Sequence, residues 1–112
     1  MVDWCAVYQG VVDMGDFTLD RPVFKVFQLI VEPNSQVTSS FDIRIYYNIF
    51  ASRRVFATGR EVVGRVLRTT VAGADMPNNA LKVAWATIAT EYGITQASFN
   101  YFPTPAAPPL PV

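Results

Sequence analysis

The chain has 112 residues, of which 51% are hydrophobic and 16% charged, and its 9 basic residues balance its 9 acidic ones. This length suits one domain with one core, and the zero net charge argues against a nucleic-acid partner attracted by a global field. The chain has no histidine and one cysteine, Cys5, which excludes Ser-His-Asp and Cys-His catalysis, an intrachain disulfide and the usual zinc site. We expect Cys5 to be a small buried side chain on a first strand.

The amino-terminal residues lack a basic start followed by an apolar run, so the sequence predicts no signal peptide and a cytoplasmic location. No apolar stretch approaches the roughly 20 residues of a membrane-spanning helix. We therefore expect no membrane association.

The first half of the chain is rich in strand-like segments. Residues 4–12 form a strand candidate that ends at an Asp-rich turn with a glycine. Residues 23–31 are apolar and rich in Val, Ile and Phe, and 32–35 supplies a Pro-Asn turn. At 37–50, apolar and polar residues alternate with a period of two, which indicates a half-buried strand. The last two segments predict an antiparallel hairpin.

The second half is less uniform. At 54–71 the spacing of valines and leucine fits a helix, but the β-branched content and two glycines favour strand, which we expect. At 79–93, Asn79 suits a helix N-cap and Gly93 a helix end, yet the apolar residues also alternate as in a strand. Both interpretations of this segment stay open. Residues 94–102 form a further strand candidate.

These elements predict a mainly β protein, a single antiparallel β-sandwich-like domain over 1–102, with an α+β domain containing one helix near 79–92 as the alternative. Residues 103–112 form a proline-rich tail that prefers polyproline II. Part of this tail resembles the proline-rich ligands of some WW domains, but it has no basic residue to orient an SH3 ligand. We expect an extended terminus.

The sequence predicts no catalytic residues, no cofactor and no metal site. The densest acidic run, which contains Asp13, Asp16 and Asp20, flanks a glycine turn where aspartate makes local backbone hydrogen bonds. It lacks the ligand spacing of an EF-hand, and no glycine-rich phosphate loop is present.

The sequence contains two candidate binding sites. The polar side of 37–50 presents Asp42, Arg44, Tyr46 and Asn48, in which an aromatic ring stands among hydrogen-bonding groups, as suits a carbohydrate or a protein ligand.

The second candidate is an anion-binding cluster of Arg60, Arg65 and Arg68, in a segment unusually rich in arginine. On a regular strand, Arg60 and Arg68 would face one side and Arg65 the other, so a common site requires a bulge at Gly64 or a helix. The competing interpretation is a solvated strand face.

From these features we expect a non-catalytic binding or assembly module, not an enzyme. We expect it to form a homo-oligomer, since a small antiparallel domain leaves sheet edges that few charges protect. It would present a β face or its tail to a protein partner. The alternatives are a small lectin-like carbohydrate-binding domain and an enzyme built on carboxylates.

Overall fold

The computed structural model describes residues 3–75 and 80–103. The strands in these ranges are β1 (Cys5–Tyr8), β2 (Val11–Asp13), β3 (Thr18–Asp20), β4 (Val23–Pro33), β5 (Ser40–Phe50), β6 (Val63–Ala72) and β7 (Phe99–Phe102), and the α-helices are α1 (Arg53–Thr58) and α2 (Ala80–Tyr92). Five strands form an antiparallel sheet in the order β6-β5-β4-β1-β7, and β2 and β3 form a separate hairpin.

The predicted hairpin at the centre of the chain is confirmed as β4 and β5, but β5 begins at Ser40, so 37–39 belong to the turn and not to the predicted strand. The alternation in β5 buries the apolar side chains on one face of the sheet, namely Ile43, Ile45, Tyr47 and Ile49. Asn34 N–H donates to the Ser40 carbonyl at 2.8 Å. Hydrogen-bonded and non-hydrogen-bonded pairs alternate along an antiparallel ladder, so the next pair, Pro33 and Phe41, needs no ladder hydrogen bond. Pro33 therefore ends β4 without breaking the ladder.

Helix α2 covers this face of the sheet. Its buried side chains recur at helical spacing along one stripe, Leu81, Ala84, Trp85, Ile88 and Ala89. Gly93 has φ 63°, a left-handed conformation that glycine adopts without strain and that ends the helix as expected. The open question about 79–93 is thereby resolved in favour of a helix, whereas the proposed cap Asn79 lies outside the described residues.

The expectation of a strand throughout 54–71 is correct for β6 and wrong for the residues in α1. Ser52 Oγ accepts from Val55 N–H at 3.2 Å, and Gly59 with φ 78° ends this helix. The Phe56 ring packs at 4.9 Å from Phe50 and at 5.5 Å from Phe102, measured between ring centroids. Capping and aromatic packing thus outweigh the β propensity of this short segment.

The strand predicted over 94–102 is shorter than expected. Its first part contains a 3-10 turn, Gln96–Ser98, and only Phe99–Phe102 pairs with β1. The segment 4–12 is likewise divided into β1 and the beginning of β2.

The mainly β prediction is confirmed, and the layer that covers the main sheet is helix α2, as in the α+β alternative. Cys5 is buried on the opposite face, in a small cluster with Val23, Phe50 and Phe102 that Phe56 of α1 covers. None of the helices in the described ranges has the length and apolar character needed to cross a membrane.

Candidate functional site

Among the residues that the structure describes, the side of the sheet that faces away from α2 is covered at one end by α1. We call the rest of it the open face. Register and alternation assign to it the glycine position Gly64 and the side chains of Lys25, Gln28, Ile30, Glu32, Asp42, Arg44, Tyr46, Asn48, Val66, Arg68 and Thr70. All four predicted ligand-binding residues of β5 thus share this surface, and each is partly exposed.

Asp42 joins three parts of the chain at one end of the open face. Its Oδ1 accepts from Asn34 Nδ2 and from Thr70 Oγ1, both at 2.8 Å. These two hydrogen bonds, with Thr70 the stronger influence, lower the pKa of Asp42, and the charge of Arg68 lowers it further. The Asp42 carboxylate therefore links the turn between β4 and β5 to strand β6.

Arg44 lies beside Asp42 on the same face and forms an ion pair with Glu32, at 2.6 Å between Nη2 and Oε1. The hydrogen bond and charge of Glu32 raise the pKa of Arg44. Arg44 is directly opposite Arg68 in the ladder, an arrangement that is unfavourable for like charges. Glu32 and Asp42 offset it, so this part of the face carries balanced charge.

An apolar strip crosses the middle of the open face. The register of β4 against β5 shifts between Val26 and Gln28, which leaves Phe27 as an extra, bulged residue. Phe27 is 50% exposed, and its ring lies 6.1 Å from that of Tyr46. Tyr46 pairs on its other side with Val66, which is 53% exposed. Phe27 was missed in the sequence because a continuous apolar run does not reveal where a bulge falls.

Asn48 completes the predicted set at the end of the face near α1. It pairs with Lys25 on β4 and with Gly64 on β6. A Cβ atom added to Gly64 would lie 3.0 Å from Asn48 Oδ1, so the amide lies over the glycine backbone. The absence of a side chain at Gly64 therefore gives the Asn48 amide its position.

The three predicted anion-binding arginines are distributed over different surfaces. Arg60 is in the loop between α1 and β6, Arg68 is on the open face, and Arg65 is opposite Tyr47 on the face that α2 covers. The ladder between β5 and β6 has no register shift from Val63 to Ala72. The bulge at Gly64 that would have aligned the arginines is therefore not part of β6.

The outer edge of β6 carries backbone groups that have no partner within residues 3–75 and 80–103. Gly73 N–H donates to the Ser39 carbonyl at 2.6 Å. In an antiparallel ladder, pairs that hydrogen-bond to each other alternate with pairs that do not, so every second residue of β6, counted from Gly73, bonds to β5. The N–H and C=O groups of Gly64, Val66, Arg68 and Thr70 consequently point away from β5. No strand in the described part of the chain pairs with this edge.

Two surface cavities have contrasting linings. One, of about 350 Å³, is lined by Trp4, Lys25, Val26 and Phe27. The other, of about 340 Å³, lies between α2 and β6 and is lined by Thr69, Val83, Ala86, Thr87, Thr90 and Glu91. An enzyme that uses carboxylates for acid/base catalysis needs a pair of them at its active site, and neither lining contains such a pair. Across residues 3–75 and 80–103, no three Cys, Asp or Glu side chains are grouped as a metal site.

Comparisons with protein-family models, with curated proteins and with solved structures give no match to this chain. The open face and the outer edge of β6 combine exposed apolar groups with unpaired backbone groups, which are the features of binding surfaces.

Proposed function

We propose that the protein is a non-catalytic assembly module that self-associates through the outer edge of β6. The observation that carries the proposal is a ten-residue edge strand whose outward N–H and C=O groups have no partner in the described chain. Such an edge is a template for another strand. The expected location of the assembly is the cytoplasm.

The two edges of the sheet differ in a way that supports this assignment. Edge strands of monomeric proteins are protected by being short or by carrying proline or charges. Strand β7 has four residues and is followed by Pro103. Strand β6 is more than twice as long and contains no proline, and its only charged residues are Arg65 and Arg68. The edge formed by β6 is therefore the less protected one.

The sequence of β6 is also compatible with pairing to a second copy of itself. In a two-fold antiparallel pair centred on Leu67, Val66 lies opposite Arg68 of the second copy and Arg65 lies opposite Thr69. Each arginine then faces a neutral residue, which avoids directly opposed like charges. The outward backbone groups of both strands meet in hydrogen-bonded pairs in this register.

Such a dimer would place both open faces on the same side of one continuous sheet, because opposite residues of an antiparallel pair point to the same face. The two apolar strips of Phe27, Tyr46 and Val66 would then lie on one surface. This surface is the one we propose the assembly presents to a protein partner.

The test is the molar mass of the full chain by light scattering on a sizing column. We expect a dimer, and a monomer for Val66→Pro, because this change removes an outward N–H and leaves the ladder with β5 intact. Leu67→Pro is the contrast, since the Leu67 N–H belongs to the β5 ladder and its loss should unfold the sheet. A monomeric parent at all concentrations, or a folded Val66→Pro dimer, would refute assembly through this edge.

A second pair of variants keeps the test informative if Val66→Pro does not fold. Val66→Lys sets a positive charge opposite Arg68 of the second copy and should dissociate the dimer. Val37→Lys is its matched control, since Val37 is 52% exposed, against 53% for Val66, but lies in the turn between β4 and β5. We expect Val37→Lys to remain dimeric.

A lectin-like carbohydrate-binding domain is the second candidate. The contact between the exposed Phe27 ring and Tyr46, beside the polar groups of Asp42, Arg44 and Asn48, favours it, because sugars stack on aromatic rings and hydrogen-bond at their edges. Titration calorimetry with a panel of monosaccharides, on the parent and on Tyr46→Ala, distinguishes it from the first proposal. Saturable binding that Tyr46→Ala abolishes would support a lectin.

A further inference from the structure

The cavity lined by Trp4, Lys25, Val26 and Phe27, which we call the aromatic cavity, has two large exposed rings. Trp4 is 40% exposed and Phe27 is 50% exposed. The Trp4 carbonyl accepts from Val26 N–H at 2.8 Å, so the start of β1 is held beside the bulge that turns Phe27 outward. Burial of a large aromatic ring by another group is energetically favourable, and two exposed rings at one cavity therefore indicate a binding surface.

The chain leaves the sheet next to this cavity. Phe102, the last residue of β7, pairs with Cys5, and Cys5 pairs on its other side with Lys25. Because neighbouring strands are about 4.8 Å apart, Phe102 lies about 10 Å from the Lys25 backbone. Pro103 continues along β1 toward Trp4, since β7 and β1 are antiparallel.

The length and composition of segment 104–112 suit this position. This segment has nine residues, four of them proline and none of them charged. In a polyproline II conformation they would span about 28 Å, at about 3.1 Å per residue, which is enough to cross β1 and reach Phe27. Proline rings pack on exposed aromatic rings, and the conformation is largely preformed, so little entropy is lost on docking.

We propose that the aromatic cavity is a polyproline-binding site and that the proline-rich segment 104–112 of the same chain occupies it. We assign this segment as the occupant because the chain leaves β7 beside Trp4, the segment is long enough to reach Phe27, and it contains no charged residue. The missing N–H groups of proline make this segment a poor partner for the outer edge of β6. Self-association through β6 and tail docking therefore use different surfaces and can fail independently. A docked tail would share Phe27 with the partner surface, so a protein partner would have to displace the tail there.

Quenching of tryptophan fluorescence by acrylamide tests the proposal in the full chain. Trp85 is fully buried, so the quenchable emission comes from Trp4. Replacing Pro105, Pro108, Pro109 and Pro111 together by serine should release the tail and raise the quenching constant of Trp4 about twofold or more. Ala106→Ser with Ala107→Ser is the matched control, since it keeps every proline and should leave quenching unchanged. In a Trp4→Phe background the proline substitutions should have no effect.

Two results would overturn the proposal. Equal quenching of the parent and the proline-substituted chain would mean that the tail does not cover Trp4. Protection that grows over a hundredfold range of protein concentration would mean that a second copy supplies the tail, because docking within one chain is independent of concentration. We would repeat the concentration series on Val66→Pro, which is expected to be monomeric. It distinguishes a tail supplied by a second copy from an effect of dimerisation through β6.

Discussion

The hydroxyl oxygens of Tyr47 and Tyr92 lie 2.6 Å apart, which ties the middle of β5 to the last turn of α2. Their rings also meet edge to face, with 6.3 Å between centroids. Burial is the largest influence that raises the pKa of Tyr47, followed by the hydrogen bond with Tyr92; Glu91 raises it and Arg65 lowers it to a smaller extent. Burial and the hydrogen bond with Tyr92 thus favour the protonated form of Tyr47.

This contact predicts a loss of stability at alkaline pH. An unfolded tyrosine ionises near pH ~10, whereas folded Tyr47 keeps its proton above that pH. The unfolded state then binds fewer protons, so the free energy of unfolding falls as pH rises above about 10. Tyr47→Phe should reduce this fall and cost about 1 kcal/mol at neutral pH through the lost hydrogen bond. Denaturant unfolding across this pH range measures both effects; an unchanged pH dependence in Tyr47→Phe would contradict the assignment. Burial also raises the pKa of Tyr101. We therefore expect Tyr101 to account for the pH dependence that remains in Tyr47→Phe.

Asp42 predicts the opposite dependence at acidic pH. Its pKa is lowered by hydrogen bonds from Thr70 and Asn34, so its contribution to stability is present above the ordinary aspartate value of about 3.9 and is lost as pH falls through the lowered value. Asp42→Asn should flatten the acid limb of the stability curve, measured by thermal unfolding from neutral to acidic pH. If Asp42→Asn and the parent lose stability in parallel, these hydrogen bonds do not stabilise the charged form.

Two glycines predict contrasting effects of the same substitution. A Cβ atom at Gly73 would lie 2.8 Å from the Ser39 carbonyl oxygen, a backbone atom, so Gly73→Ala should cost about 1–3 kcal/mol. At Gly64 the nearest atom is Asn48 Oδ1, the end of a side chain that can rotate. Gly64→Ala should therefore change the free energy of unfolding by less than about 0.5 kcal/mol. Denaturant unfolding of both variants checks the difference, and equal costs would contradict it.

Helix α1 should depend on one aromatic side chain. Phe56 packs against Phe50 and Phe102, and Phe56→Ala should cost about 2–4 kcal/mol, since this ring is only partly buried. Arg53 also contacts Phe102, with its guanidinium carbon 3.8 Å from the ring centroid. Arg53→Gln is the control and should cost about 0.5–1 kcal/mol. A Phe56→Ala cost no greater than that of Arg53→Gln would mean that α1 is not held by its aromatic contacts.

Much of the local structure was predictable because it depends on patterns within one segment. The period-two alternation of β5 specifies which side chains are buried, whatever the strand pairs with. The same alternation assigns Asp42, Arg44, Tyr46 and Asn48 to one face, and this assignment does not depend on which strands pair with β5. Gly93 was expected at the end of α2 for its left-handed conformation, and its φ of 63° agrees.

The segment with the poorest prediction shows where local patterns are insufficient. The residues of α1 have no decisive periodicity, and six residues cannot form a stable helix alone. The helix exists because Phe56 reaches Phe50 and the distant Phe102, a contact that only the folded sheet provides. The bulge at Phe27 is similar, since it is a property of the β4–β5 pairing and not of β4.

By itself, therefore, the sequence determined the hairpin of β4 and β5, the faces of its side chains and the absence of histidine chemistry. Only the tertiary structure decided that α2 crosses the sheet to place β7 beside β1 and leaves β6 as the long outer strand. It likewise decided that Asp42 bonds Thr70, that Arg65 and Arg68 face opposite sides, and that Trp4 lies beside Phe27. The physical reason is that burial follows from each segment's own polarity, whereas strand order depends on contacts between distant segments, in which the gain from packing must exceed the entropy of closing long loops.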